Sequence, residues 1–214
     1  MERLFSFHFS IDRCNAKKRI DPHLYAGMTF DTFLENEGNR LARSAGNQVA
    51  MQPGEASHPF NPLFIYGDSG VGKTHLLHAI GHKVRQFYPK LQVLYIPMQQ
   101  LMNEARTARR KRGKLASFFR YYQQIDVLLI DDMQALSDHP DELNLLFDLF
   151  RCWVHFGNQL VLASDKPFVE QQTIAEQMFR FKAGLPALIT PPDLALSDQI
   201  PQAESTTERA KTNP

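Results

Sequence analysis

Gly67-Asp68-Ser69-Gly70-Val71-Gly72-Lys73-Thr74 is a complete G-x-x-x-x-G-K-T stretch, and the residues on either side have the character a phosphate-binding loop requires. Leu63, Phe64, Ile65 and Tyr66 form a short apolar run suited to a buried strand. His75 to Val84 carries Leu76, Ile80 and Val84 on one side of a helix. Strand, loop and helix thus follow one another in the order the chemistry needs. The glycines let successive backbone N–H groups turn inward around a polyphosphate, and the helix N-terminus adds partial positive charge. Lys73 reaches the β- and γ-phosphates, and the Thr74 hydroxyl ligates Mg²⁺. The candidate ATP-contacting residues of this segment are Gly67, Asp68, Ser69, Gly70, Val71, Gly72, Lys73, Thr74 and His75.

A second element completes the chemistry. Val127-Leu128-Leu129-Ile130-Asp131-Asp132 is an apolar run ending in two acids, which places both carboxylates at the carboxyl end of a buried strand. Asp131 is expected to hold Mg²⁺, directly or through water, and Asp132 to orient and polarise the attacking water. Leu160-Val161-Leu162 reads as a further strand. It ends in Ser164-Asp165, either a turn or helix cap or a polar pair facing the γ-phosphate.

Around these elements, Val93 to Ile96 and Ala187 to Ile189 read as strands. Asp141 to Phe156 sets Leu143, Leu146, Phe147, Phe150 and Trp153 on one helical face. Asn39 to Val49 reads as a short helix with Leu41, Ala42, Ala45 and Val49 inward, and Met51 to Pro62 as a surface loop. Phe5, Phe7, Phe9 and Ile11 alternate like a strand. Strands alternating with helices predict βαβ units on a parallel sheet, with ligands outside the carboxyl ends of the strands. A polar stretch after Leu196 is expected to be disordered.

The 214 residues suffice for one domain with a sizeable core, and the 43% apolar and 22% charged composition fits a globular body. No apolar run approaches membrane-spanning length and the N-terminal stretch has no clean apolar signal, so no membrane partner and a cytoplasmic location are expected. Cys14 and Cys152 stand far apart and outside metal-ligand spacing, which predicts reduced thiols. With net charge +1, nucleic-acid contact needs a local patch. The densest one is Arg106, Arg109, Arg110, Lys111, Arg112 and Lys114, followed by Phe118, Phe119, Tyr121 and Tyr122. Cations beside aromatics suit single-stranded DNA, while the alternative is a solvated helix face over core aromatics. His75, His78 and His82 share one side of a helix; no accompanying carboxylate pattern marks a metalloprotease, and structural histidines are the simpler reading.

Several stretches together resemble successive motifs of the AAA+ domain of the bacterial replication initiators. They are Met28-Thr29-Phe30-Asp31-Thr32-Phe33, Asn61 to Gly67, Gly72 to Gly81, Arg120-Tyr121-Tyr122, Leu129 to Gln134 and Leu162 to Pro167. The similarity runs from about Leu24 to Leu196. It implies an α/β P-loop NTPase of AAA+ type, a three-layer αβα sandwich on a parallel sheet, with an N-terminal extension over 1–27, the core over 28–196 and a polar tail over 197–214. It further implies that Phe30 and Phe33 lie near the adenine, that the Asp131 strand is a Walker B element, and that Asp165 occupies the sensor I position. Phe179-Arg180-Phe181 resembles the stretch that carries the arginine finger, so Arg180 would reach the ATP of a neighbouring subunit; read without the family, a lone Arg on a helix end is a surface charge.

Departures temper these implications. Initiators continue into a helical lid with a sensor II arginine and a C-terminal helix-turn-helix domain, and no counterpart of either is expected here. Glu176 stands where the family usually has a second arginine, and Ala135 to Asp141 replaces a basic segment. Origin recognition is therefore not expected, and hydrolysis is expected to be slow or partner-dependent. Three readings follow: an ATP-binding initiator-group protein acting in replication through ATP-dependent homo- or hetero-oligomers, a helicase-loader or initiator-regulator protein, and a small-molecule kinase with the same loop.

Overall fold

Five of the six strands that the sequence predicts fall within two residues of their expected places, in a computed structural model that describes residues 19–54, 60–167 and 184–191. In chain order the elements are α1 (Arg40–Met51), β1 (Leu63–Tyr66), α2 (Lys73–Phe87), β2 (Val93–Pro97), α3 (Met98–Arg110), α4 (Lys114–Tyr122), β3 (Val127–Asp131), a 3₁₀ turn (Met133–Leu136), α5 (Pro140–His155), β4 (Gln159–Ser164) and β5 (Leu185–Leu188). The strands form one parallel sheet in the order β2-β3-β4-β1-β5. The strand expected at Phe5 to Ile11, the tail beyond Leu196, Cys14 and Arg180 lie outside the described residues.

Both sheet faces are covered, which is why the strands read as continuous apolar runs rather than alternating ones. Leu63, Ile65, Val127, Leu129, Val161 and Ala163 point toward α1 and α2. Their neighbours Phe64, Leu128, Ile130, Leu160 and Leu162 point toward α3, α4 and α5. The result is three layers. On α5 the expected stripe of Leu143, Leu146, Phe147, Phe150 and Trp153 is buried.

Two sequence expectations are corrected. Leu41 does not face the core and is 65% exposed, because α1 buries Ala42, Ala45, Gly46, Val49 and Ala50 instead. These small residues bring α1 close to α2: a Cβ on Gly46 would stand 3.0 Å from Ile80 Cδ1. The fifth strand begins at Leu185 rather than Ala187, since its pairing partner β1 sets its length through the register Leu63 to Leu185 and Tyr66 to Leu188. Before α1, residues 20 to 25 lie against the sheet body, with Tyr95 N–H donating to Pro22 O at 3.0 Å and Leu24 packed over Gly81.

Candidate nucleotide site

The loop leaves β1 at Gly67, whose backbone has φ +155° and where a Cβ would stand 2.0 Å from the Ile189 carbonyl oxygen. Only glycine fits there. Gly72 caps α2 at φ +104°, a left-handed conformation that also favours glycine. A side chain on it would press on Phe33, 3.3 Å away. Lys73 then begins α2 and is buried, with Nζ donating to Gly67 O at 2.9 Å and Asp68 O at 2.7 Å. Its third partner is Asp165 Oδ1 at 2.7 Å. That contact exists because β4 is inserted between β1 and β3, carrying Asp165 to the centre of the sheet's carboxyl edge. Asp68, Ser69 and Gly70 are exposed, with Val71 half-buried.

Across from the loop, Thr74 Oγ1 donates to Asp131 Oδ2 at 2.6 Å, and Tyr95 donates to the same oxygen at 3.1 Å. Asp132 N–H donates to Asp131 Oδ1 at 3.0 Å. With its proton committed to a buried carboxylate, the Thr74 oxygen presents lone pairs outward. A hydroxyl oxygen beside a carboxylate is the hard donor set that suits Mg²⁺. Asp132 sits just beyond β3 at φ +57°, which turns its carboxylate away from the sheet and toward solvent. Partial desolvation and the neighbouring charge of Asp131 raise its pKa, against a hydrogen bond from Gln134 that lowers it.

Gln134 is a residue whose role the sequence did not disclose. Its Nε2 donates to Asp132 Oδ1 at 3.2 Å, while its Oε1 accepts from Asp165 N–H at 3.2 Å and Ser164 Oγ at 3.3 Å. One amide therefore ties the expected water-orienting acid to the end of β4. Its signal was its position two residues after Asp132, at the first turn following the strand.

The segment around Phe30 and Phe33 is fastened to the start of α2. His75 Nε2 lies 2.9 Å from Thr29 O and 3.2 Å from Thr32 Oγ1, and the Phe33 ring meets His75 edge-on at 5.2 Å. Lys83 and Arg43 lie over the Phe30 ring at 5.3 and 5.8 Å. The three helix histidines take separate partners, and no group of three or more His, Cys, Asp or Glu side chains placed to hold a metal is found among the described residues. His82 lies 2.9 Å from Tyr25 O. His78 is fully buried between Tyr25 and Tyr95, with neither ring nitrogen hydrogen-bonded among the described residues. Burial pushes its pKa down to about 4. Below the ordinary value of 6.5 the unfolded chain takes up a proton that the folded chain refuses, so stability declines as pH falls from about 6.5 toward 4. His78→Leu is expected to flatten that decline, measured by urea unfolding at pH 7 and pH 4.5; an unchanged pH dependence would assign it to other groups.

The basic cluster is partly dismantled by the fold. Arg106 Nε pairs with Glu142 Oε1 at 2.9 Å and joins α3 to α5, so its guanidinium is engaged within the protein. Arg109, Arg110, Lys111, Arg112 and Lys114 remain exposed at the α3–α4 junction, without an ion pair among the described residues. Of the aromatics, Phe118 and Tyr122 belong to the core, and Tyr122 donates to Glu104 Oε2 at 2.7 Å. Tyr121 is 41% exposed. It lines a groove of about 790 Å³ between α3 and α4, together with Gln100, Asn103, Thr107, Lys111 and Ser117.

A parallel sheet covered on both faces, a glycine loop opening a helix on Lys73-Thr74, and Asp131-Asp132 at the end of β3 define a P-loop NTPase of AAA+ type. The profile of the bacterial DnaA ATPase domain matches residues 24–187. The chain belongs to that family. It is 44% identical over 176 residues to the chromosomal replication initiator protein DnaA of Flavobacterium psychrophilum, a match covering 82% of this chain and 36% of the relative. The chain therefore spans a little over a third of the length of the curated relatives it matches. Domain III of the Thermotoga maritima replication initiation protein DnaA superposes with a TM-score of 0.72 at 36% identity, covering 79% of this chain and 70% of that one. A structure of the replication initiator DnaA bound to AMPPCP and single-stranded DNA superposes with a TM-score of 0.70 at 30% identity, covering 78% of this chain and 51% of that one. No described helix is long and apolar enough to cross a membrane.

Proposed function

We propose that the chain binds ATP with Mg²⁺ at the Gly67–Thr74 loop and acts in the initiation or control of DNA replication through ATP-dependent assembly with AAA+ subunits. The observation that carries this reading is the convergence of Lys73, Asp165, Thr74 and Asp131 from three strand ends onto one loop. Lys73 and the loop amides bind the β- and γ-phosphates, and Thr74 with Asp131 holds the metal, which when bound neutralises developing phosphate charge. Asp132, held by Gln134, orients water, and Asp165 senses the γ-phosphate. Phe30 and Phe33 flank the base side, on a segment that Thr29, Thr32 and the Phe33 ring fasten to His75. Arg180, whose role rests on family resemblance, completes the site of a neighbouring subunit. Membership in the DnaA family favours this reading over a helicase loader, and the paired Asp131-Asp132 favours water activation over a kinase. Nucleotide titration with mass measurement of the assembly tests it: ATP binding with growth of the assembly supports it, and no binding overturns it.

The superposable DnaA bound to AMPPCP and single-stranded DNA supports a nucleic-acid role for the exposed cations at the α3–α4 junction. Single-stranded DNA would set phosphates against Arg109, Arg110 and Arg112 and a base against Tyr121. Replacing the three arginines with Ala is expected to weaken binding and to reduce the slope of log affinity against log salt by about 0.7 for each phosphate no longer neutralised. A retained slope would mark the cluster as a solvated face. Arg106, tied to Glu142, is not expected to contribute.

A further inference from the structure

In β2, Tyr95 pairs in register with Leu129, and Pro97 with Asp131. Residues two apart share a face, so Tyr95 and Asp131 both point toward α2, offset diagonally by one pleat that a long side chain can span. The Tyr95 hydroxyl makes that reach and donates to Asp131 Oδ2 at 3.1 Å. Its ring is held from behind by His78, 4.1 Å away between centroids, and His78 in turn meets Tyr25 edge-on at 5.0 Å. A backbone bond from Tyr95 N–H to Pro22 O fixes the same residue from the sheet edge.

Two protons thus arrive at one carboxylate oxygen, from Thr74 and from Tyr95, and fill the two lone-pair sites of Asp131 Oδ2. The other oxygen accepts Asp132 N–H and keeps one acceptor site open. Without Tyr95, Oδ2 would have a free lone pair and the carboxylate could turn about its terminal torsion, which is broad and roughly two-fold. Thr74 would lose a fixed acceptor, and its oxygen would no longer be presented in one orientation.

We infer that Tyr95 is a positioning residue for the Mg²⁺ site: buttressed by His78 and, behind it, Tyr25, it locks the Asp131 carboxylate so that Thr74 and the open Asp131 oxygen face the metal together. The inference rests on the ATP and Mg²⁺ reading above. It assigns to β2 a part in metal binding that the glycine loop and the paired acids do not reveal. Partners that orient metal-binding groups commonly change metal affinity by about 10- to 100-fold when removed.

The test uses the full chain and a fluorescent ATP analogue, with affinity measured in chelator and across a Mg²⁺ titration. Tyr95→Phe keeps the ring on His78 and removes only the hydroxyl. The variant is expected to match the parent in chelator and to need about tenfold or more Mg²⁺ for the same tightening. Lys73→Ala, run beside it, should lose affinity under both conditions. Equal Mg²⁺ dependence in Tyr95→Phe and parent would overturn the inference while leaving the nucleotide reading intact. An equal loss in chelator and in Mg²⁺ would also overturn it, by showing a general structural role. If the parent binds no nucleotide at all, the underlying reading fails and the inference falls with it.

Discussion

Lys73→Ala is expected to lower ATP affinity by about 100-fold or more, equivalent to roughly 2.8 kcal/mol. The ammonium carries three protons, and all three are engaged, by Gly67 O, Asp68 O and Asp165 Oδ1. A bound phosphate would take over at least one of these, because its bond to the ammonium joins two ions, whereas the bonds to Gly67 O and Asp68 O join an ion to a neutral carbonyl. Removing the ammonium removes the recipient of that exchange. It also leaves Asp165, about a third exposed, without its counter-ion. Lys73→Met, which retains the aliphatic stem, separates loss of charge from loss of packing. Calorimetric titration with ATP checks both; affinity equal to that of the parent would remove the phosphate-loop assignment.

The second large effect belongs to Asp132. Any turnover by the chain or its assemblies is expected to fall about 10²- to 10⁴-fold in Asp132→Asn, the range ascribed to a positioned proton acceptor, while ATP affinity stays near that of the parent. Position 132 makes this substitution unusually clean. Its backbone lies at φ +57°, where Asn is accommodated about as readily as Asp, so a change in strain does not accompany the change in charge. Gln134 Nε2 can still donate to the Oδ1 of the new amide, so its tie to the end of β4 is kept. What disappears is the capacity to accept a proton from water. Single-turnover hydrolysis of labelled ATP is the measurement, and unchanged turnover would make Asp132 a structural turn residue.

Gln134 and Tyr95 mark the boundary between what linear order discloses and what it conceals. The glycine loop was legible because its pattern is local: Gly67 and Gly72 have left-handed or crowded backbones, and Lys73 and Thr74 follow at fixed offsets within a single strand-loop-helix unit. The strand ending in Asp131 was legible because burial on both faces demands a continuous apolar run. Helix α3 was not, since its inward residues Met98, Leu101, Met102, Ala105 and Ala108 are interleaved with arginines that read as a charge cluster. Arg106 looked like its neighbours until the packing of α3 against α5 set it beside Glu142.

By itself, then, the sequence determined the βαβ order on a parallel sheet, the glycine loop between β1 and α2 and the paired acids, all of which depend on residues near one another along the chain. Only the tertiary structure decided that β4 lies between β1 and β3, and with it that Asp165 meets Lys73 and that Gln134 joins Asp132 to the end of β4. It also decided that Tyr95 reaches Asp131 and that α1 turns Leu41 outward. Strand order and helix rotation are settled by which apolar faces can be buried together over the whole sheet, and no local spacing encodes that choice.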